Sequence, residues 1–408
     1  MKKRILVLAF EYFPMSNANT RIIRNLCSLL AGEYSIDLVA SRKGNSEPAE
    51  ENSDGFRVIR VPEYSYHPEK CTGTLTPGVL ARMTSAKLRG KLQHDESIPM
   101  LHRMYEYGIR KAVRFSDYDA MVSFSAPFLT HCCASRLAKD SGLPWIAVYF
   151  DPYFSGSIFD PALRDARKQQ EEDVMAPAKK ILMTYPTDRD YIRNGVRFKD
   201  RIIGAELPGI APQETAETPA AGGKCVCTFF GSLYRGIRDP KAAVALLSAV
   251  GDEIEPRFVG SISEADAKPE DFFPAGGPCR FLGPKSGDDL AREYAEADIL
   301  VNIGNSVGNQ MPSKIFEYIG TGKPILNLYK IPDCPTLKYL EKYPAALNIS
   351  EAQIDADPEG CAEQAKDFCR KFRGLRVPAE EIRRLYPDNT YEAFAELLRR
   401  TIDETLKG

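Results

Sequence analysis

Two series of short apolar runs, each alternating with stretches of helical periodicity, constrain this chain more than anything else in it. The first series predicts strands at 4–10, 35–40, 57–61, 120–124, 145–150 and 180–184, with helices over about 20–31 and 129–141. The second predicts strands at 225–231, 257–259, 279–282, 299–303 and 324–328, with helices near 239–250, 287–296, 313–320 and 359–373. Runs this short and this apolar suit strands buried on both faces, and parallel strands need crossover helices between them. The fold class is therefore α/β, with two doubly wound sheets. Between the series lies ELPGIAPQETAETPAAGGK, residues 206–224, rich in proline, alanine and glycine and without periodicity. It sets domains of 1–205 and 206–385 in a chain of 408 residues, long enough for two cores. The last periodic stretch, within 386–408, predicts a helix that crosses back onto the first domain.

Composition removes several function classes. Lys and Arg number 54 against 56 Asp and Glu, so no global charge argues for nucleic acid. No apolar run approaches the roughly 18 residues of a membrane-spanning helix. The opening MKKRILVLAFEYFP has the basic start of a signal peptide, but its apolar run stops at Glu11 without a small-residue cleavage site; it reads as the first strand. Ten scattered cysteines form neither a disulfide framework nor a zinc spacing, and four histidines add no metal motif. No metal site is expected, Cys225 and Cys227 read as small core residues on one strand face, and a reducing cytoplasm is the expected compartment. No G-x-G-x-x-G follows the first strand, which argues against a nicotinamide dehydrogenase.

Chemistry concentrates in ADILVNIGNSVGNQMPSKIFEYIGTGKPIL, residues 297–326. A buried strand runs into the polar loop from Gly304 to Gln310, and Pro312 and Ser313 then open a helix. Proline suits a first turn, and the free N–H groups of Ser313 and Lys314 would face the loop, where a diphosphate fits. Glu317, about one turn in, leans back toward that end and can accept two ribose hydroxyls. Lys314 adds a point charge. The plainer reading makes Glu317 a complement to the helix dipole and Lys314 a solvated cation.

These residues, with FEYFP and SNANTRIIRNLCSLL near the start and FFGSLYRGIRDP at 229–240, resemble the glycosyltransferases of GT-B architecture, and more narrowly the family 4 (group 1) enzymes of bacterial surface-polysaccharide assembly. The resemblance implies two Rossmann-like domains facing across a cleft. It also implies transfer of a sugar from a nucleoside-diphosphate sugar, with UDP or GDP as the expected nucleotide, and no bound metal. The second domain holds the donor. On that resemblance Glu317 is the ribose-binding glutamate, Pro312 to Lys314 the diphosphate cradle, and Gly231 the strand end beside the donor. Arg235 falls near the family's phosphate-binding lysine, with Arg238 a second candidate; the alternative is a surface pair beside Asp239. Three positions depart from the family pattern. Asn309, with Gln310 beside it, occupies the place of the first of two glutamates, and Ser232 stands where an arginine is frequent. Ser16, Asn17, Ala18 and Asn19 replace a glycine pair; Asn tolerates a left-handed backbone, so close approach of this loop is still expected. Ser16, Asn17, Asn19 and Arg21 are the candidate acceptor-side residues.

A general base is expected from the first domain. Asp151 follows the apolar run PWIAVYF, at the strand end where such folds place function, and His131 is the second candidate. Asp before Pro also favours turns, and a lone histidine is often structural. Residues 79–114 interleave Arg82, Lys87, Arg89, Lys91, Arg103, Arg110, Lys111 and Arg114 with apolar side chains. Such a surface can sit on anionic lipid at the inner face of a membrane, next to a polyprenyl-linked glycan acceptor, or be a helical insertion with a solvated basic face. Two other functions stay open: a nucleotide-sugar epimerase of the same architecture, and a non-catalytic nucleotide-sugar binder acting as a scaffold, which the missing first glutamate motivates.

Overall fold

The computed structural model describes residues 2–15, 17–64, 71–92, 99–125, 127–156, 161–214, 223–263 and 268–407. The chain divides into two compact units, one of Met1–Pro208 with Tyr391–Gly408 and the other of Gly209–Thr390.

The first unit carries β1 (Arg4–Leu8), β2 (Ser35–Arg42), β3 (Glu50–Ser53), β4 (Phe56–Pro62), β5 (Ala120–Phe124), β6 (Trp145–Tyr149), β7 (Lys180–Thr184) and β8 (Ile202–Ala205). They form one sheet in the order β3-β4-β2-β1-β5-β6-β7-β8, parallel throughout except for β3. β3 and β4 are a hairpin turned by Asp54 and Gly55, both at positive φ. The order in which strands are added reverses beside β1: the chain winds outward through β2 and β4, then returns to the other side of β1 with β5. Ligands in such sheets bind outside the carboxyl ends at this switch point. The helix Leu129–Ser141 covers β5 and β6, where Trp145, Tyr149, Met121 and Leu137 are fully buried. The helix Tyr391–Lys407 packs on the helix Ala18–Leu30 and on β7.

The second unit carries β9 (Cys225–Phe230), β10 (Ile254–Val259), β11 (Arg280–Gly283), β12 (Ile299–Ile303), β13 (Ile325–Tyr329) and β14 (Ala346–Ser350). The all-parallel order β11-β10-β9-β12-β13-β14 is that of a dinucleotide-binding Rossmann sheet, with its switch point between β9 and β12. One face is closed by the helices Lys241–Val250 and Pro358–Phe372, whose Leu246, Leu247, Ala365 and Phe368 join Phe258 and Val301 in a single core. Lys323, buried, donates to the carbonyls of Tyr294, Ala295 and Ala297 and so caps the end of the helix Gly287–Glu296.

Candidate functional site

The β9–β12 ladder ends at Phe229 and Val301, one residue before β9 does. Phe230 therefore turns its N–H and carbonyl toward a gap. The hydroxyl of Tyr318 fills it, accepting from Phe230 N at 2.8 Å and donating to Phe230 O at 3.1 Å. This bond pair pins the helix Lys314–Gly320 to the end of β9 and holds Glu317 and Lys314 next to the switch point. Helical hydrogen bonding begins one residue later than the sequence predicts, with Ser313 as the residue before the first turn.

Beyond β9 the chain makes a tight excursion from Gly231 to Arg238, closed by reciprocal backbone bonds between Tyr234 and Arg238. Gly236, at φ +79°, makes the turn, and a side chain there would be strained. Ser306, from the loop after β12, donates its backbone N–H to Ile237 O and its hydroxyl to Gly236 O. Loops from both sides of the switch point are thus laced together.

Arg238 sits inside that lacing. Its guanidinium donates to Asn305 Oδ1 from Nε (3.1 Å) and Nη2 (2.9 Å) and to Ser232 O from Nη1 (3.3 Å). Both acceptors are neutral oxygens, and among the described residues no carboxylate pairs with this cation. Burial pushes its pKa down, the mark of a charge held where solvent compensates it poorly. A guanidinium has five N–H groups, so donors remain for a ligand. Asn305, itself buried, donates on to Gln310 O at 3.3 Å, which fixes the loop that carries Asn309 and Gln310.

The other candidates are arranged less decisively. Arg235 lies at the exposed tip of the excursion and bonds Asp271 at 3.2 Å, not Asp239, in a solvated pair of small worth. Lys314 Nζ lies 2.6 Å from Glu317 Oε2, so the two partner each other on one helix face. Ser232 Oγ meets Ser261 Oγ at 2.9 Å. Pro312 is buried and Ser313 half-buried. Sequence reasoning missed Asn305, Ser306 and Tyr318. The one available signal was Tyr318 on an otherwise apolar helix face, since a buried tyrosine hydroxyl needs a partner.

In the first unit, Asn17 caps the helix Ala18–Leu30 in a reciprocal box with Thr20 and reaches Glu11 Oε2 at 3.2 Å. Its backbone is extended, φ −135°, as the capping role requires, and its side chain is spent on the helix start. Asn19 and Arg21 follow on the first turn, Arg21 exposed; Ser16 lies outside the described residues.

Asp151 is half-buried just past β6. The segment after it is held by Tyr153 N to Tyr191 Oη (2.7 Å) and Phe154 N to Glu171 Oε2 (3.1 Å). His131 is fully buried; its Nδ1 meets Ser123 Oγ at 2.8 Å, and the same hydroxyl accepts from Trp145 Nε1. Burial drives its pKa down to about 3, so it is a neutral ring packed beside Tyr149.

Within 79–114, the helices Pro77–Leu92 and Pro99–Ala112 pack on each other through Val79, Met83 and Met104, while Tyr105 and Ile109 enter the main core. Of the apolar side chains described there, Met83, Met104 and Tyr105 are buried and Leu80 is exposed. Arg82 and Lys111 lie over the Tyr107 ring and Arg110 pairs with Glu106 and Asp140; the side chains of Arg89 and Lys91 lie outside the described ones. Among the described residues no helix is long and apolar enough to cross a membrane.

No protein-family pattern matches the chain, and no curated protein sequence does. Solved structures match over nearly its whole length. It is similar to sucrose-phosphate synthase from Thermosynechococcus elongatus, at 14% identity and TM-score 0.65, with 99% of each chain covered. HepE of Anabaena, solved in complex with UDP-glucose, matches at 11% identity and TM-score 0.63, over 98% of this chain and 99% of that one. The lipopolysaccharide outer core galactosyltransferase WaaB, in its apo form, matches at 11% identity and TM-score 0.57, with 99% of each chain covered. At such identities the likeness establishes the fold, which is the α/β GT-B class of two Rossmann-like units.

Proposed function

We propose that the protein is a glycosyltransferase that moves a sugar from a nucleoside-diphosphate sugar to a hydroxyl of a glycan or lipid-linked glycan. The observation that carries this reading is the uncompensated guanidinium of Arg238, fixed at the β9–β12 switch point by Asn305 and Ser232 O. A cation held half-buried without a counterion raises the energy of the empty site. A diphosphate returns that energy on binding and gains most when the leaving nucleotide's charge develops, which is where catalysis needs it. The likeness to HepE, solved with UDP-glucose, favours a uridine nucleotide among the donors.

In this reading Glu317 releases Lys314, takes the ribose hydroxyls, and leaves Lys314 to join Arg238 on the phosphates. Ser232, Asn309 and Gln310 line the sugar side as neutral hydrogen-bonding groups, and Arg235 swings from Asp271 to the distal phosphate. Arginine and lysine supply the charge that a divalent ion would otherwise bring, so transfer proceeds without a bound metal. Asp151 is the assigned base for the acceptor hydroxyl, with Asn17, Asn19 and Arg21 on the acceptor side. A cytoplasmic place at the inner face of a membrane, with residues 79–114 as the contact, belongs to the same proposal.

The test is thermal stabilisation by UDP, GDP, ADP and CMP, each with and without magnesium, on the wild type, Arg238→Gln and Glu317→Ala. At a hundred times its dissociation constant a ligand adds about 2.7 kcal/mol. One nucleotide is expected to respond, indifferent to magnesium, with the shift abolished in Arg238→Gln and reduced in Glu317→Ala. Silence from every nucleotide removes the reading, and binding without transfer to any acceptor turns it into that of a scaffold.

A further inference from the structure

At the opposite, amino end of β9 lies a group of side chains the donor site does not use. Alternation along the strand puts Cys225 and Cys227 on one face, and the helix Pro358–Phe372 crosses that face with Cys369 in its last turn. The three Sγ atoms all lie within 4.8 Å of one another, and Cys227 Sγ is 3.7 Å from Cys369 Sγ. All three residues are buried, and none is in a disulfide. Three sulfur ligands on one ion at about 2.3 Å are separated by roughly 3.8–4.0 Å, whether trigonal or tetrahedral. The observed spacing meets that at one edge and needs only small rotamer adjustments at the others.

Access is also provided. A cavity of about 460 Å³ opens onto Cys225 and Cys369 and is lined by Lys224, Lys366, Arg370 and Arg373 as well as Asp252 and Glu253. All four of these cations are already in ion pairs: Lys224 with Asp252, Lys366 and Arg370 with Glu253, and Arg373 with Asp298. The opening gives an ion both an entry path and room for a water as fourth ligand.

We propose that Cys225, Cys227 and Cys369 form a three-sulfur site for a thiophilic d10 cation, zinc(II) or copper(I), which ties the helix Pro358–Phe372 to the amino end of β9. Soft thiolates select ions of this class over magnesium or calcium. Binding exchanges protons for the ion: each thiol that becomes a thiolate ligand releases its proton to solvent, with no change of oxidation state. The alternative is that three small side chains merely fill the core.

The experiment uses the full chain, purified with chelator and reductant, then titrated without oxygen against zinc(II) in competition with a chromophoric chelator, and separately against copper(I). One equivalent is expected to bind, with proton release, and copper(I) or the zinc substitute cadmium(II) is expected to give sulfur-to-metal charge-transfer absorption. Cys369→Ala and Cys225→Ser should each weaken binding by at least about tenfold, while Cys279→Ala and Cys334→Ala, at cysteines elsewhere in the same unit, should not. Stronger binding of zinc or of copper identifies the ion. The proposal is overturned if the wild type binds well under one equivalent of either ion, or if a folded Cys369→Ala or Cys225→Ser, checked by its cooperative unfolding, binds as tightly as the wild type. The wild-type stoichiometry decides even if one variant does not fold.

Discussion

At the scale of single residues, the side chains that matter are those whose charge the fold refuses to solvate. Glu171 is fully buried, accepts from the Tyr191 hydroxyl (2.9 and 3.1 Å) and Phe154 N, and is pushed up to about 8 by desolvation. Folded, it keeps its proton to a higher pH than the unfolded chain does. Stability should therefore fall as pH rises from about 4.5 to about 8 and level off above that. His131 works with the opposite sign: held to about 3 in the folded protein, it favours the unfolded chain as pH drops from about 6.5 toward 3. We expect Glu171→Gln, which keeps the shape and an acceptor, to flatten the alkaline slope, leave the acid slope, and raise stability at pH 8 by up to a few kcal/mol. Urea midpoints between pH 4 and 9 measure this; an unchanged alkaline slope would show that Glu171 is ionised in the fold. The same two side chains anchor the segment after Asp151 through Tyr153 N and Phe154 N, so Tyr191→Phe should reduce turnover more than it reduces nucleotide binding, read as kcat against the UDP-induced shift. Little of this was legible beforehand. Arg238 could be singled out because it lies just past an apolar strand, in the position where such folds bind ligands. Glu171 reads as a charge on a polar helix, and Cys369 stands 142 residues from Cys227; chain spacing carries no sign of either partnership.

At the scale of elements, most strands were legible because a strand covered on both faces is an uninterrupted apolar word. WIAVY is such a word and ILVNI is broken only by Asn302; they became β6 and β12 with every residue buried. β8 and β14 were not foreseen, since IIGA and ALNIS are half-buried edge strands without that signature. β3 was missed despite a usable sign, the Asp-Gly turn before FRVIRV. Register within the second sheet has its own device. Asn302, Asn327 and Asn348 are partners across β12, β13 and β14, and their amides run in series, Asn302 Nδ2 to Asn327 Oδ1 at 2.7 Å and Asn327 Nδ2 to Asn348 Oδ1 at 2.8 Å. A slip of one residue would break both bonds and bury unmatched amides against apolar neighbours. We expect Asn327→Leu to cost about 2–4 kcal/mol, because it strands a donor on one side and an acceptor on the other. Replacing all three by leucine should cost less than the single change, since no amide is then left unmatched. Guanidinium unfolding of the three proteins tests this, and a triple variant weaker than the single one would mean that packing, not hydrogen bonding, governs the ladder.

At the scale of the whole molecule, the two units are built on the same sheet plan but are closed differently. The chain leaves the first unit after Pro208 and re-enters it at Tyr391. Amphipathic period marks about 390–406 as a helix, yet period alone says nothing about which sheet its apolar side will cover. In the structure Phe394, Leu398 and Ile402 are almost completely buried; Phe394 faces Phe150, and Asp403 accepts the Tyr34 hydroxyl at 2.7 Å. Each such side chain contributes about 1.5–3 kcal/mol on burial, so three of them rival the entire stability of a small domain. Removing residues from Tyr391 onward should thus abolish cooperative unfolding of the first unit, while the second, which ends at Thr390, keeps its own transition. Leu398→Ala is the gentler version and should lower only the first unit's transition, by about 2–5 kcal/mol. Calorimetry with and without UDP separates the units: on the donor reading the nucleotide raises the transition of the second unit and leaves that of the first in place. If truncation lowers both transitions equally, the terminal helix stabilises more than the sheet it covers. If UDP moves only the transition that Leu398→Ala lowers, the nucleotide belongs to the first unit and Arg238 has another task.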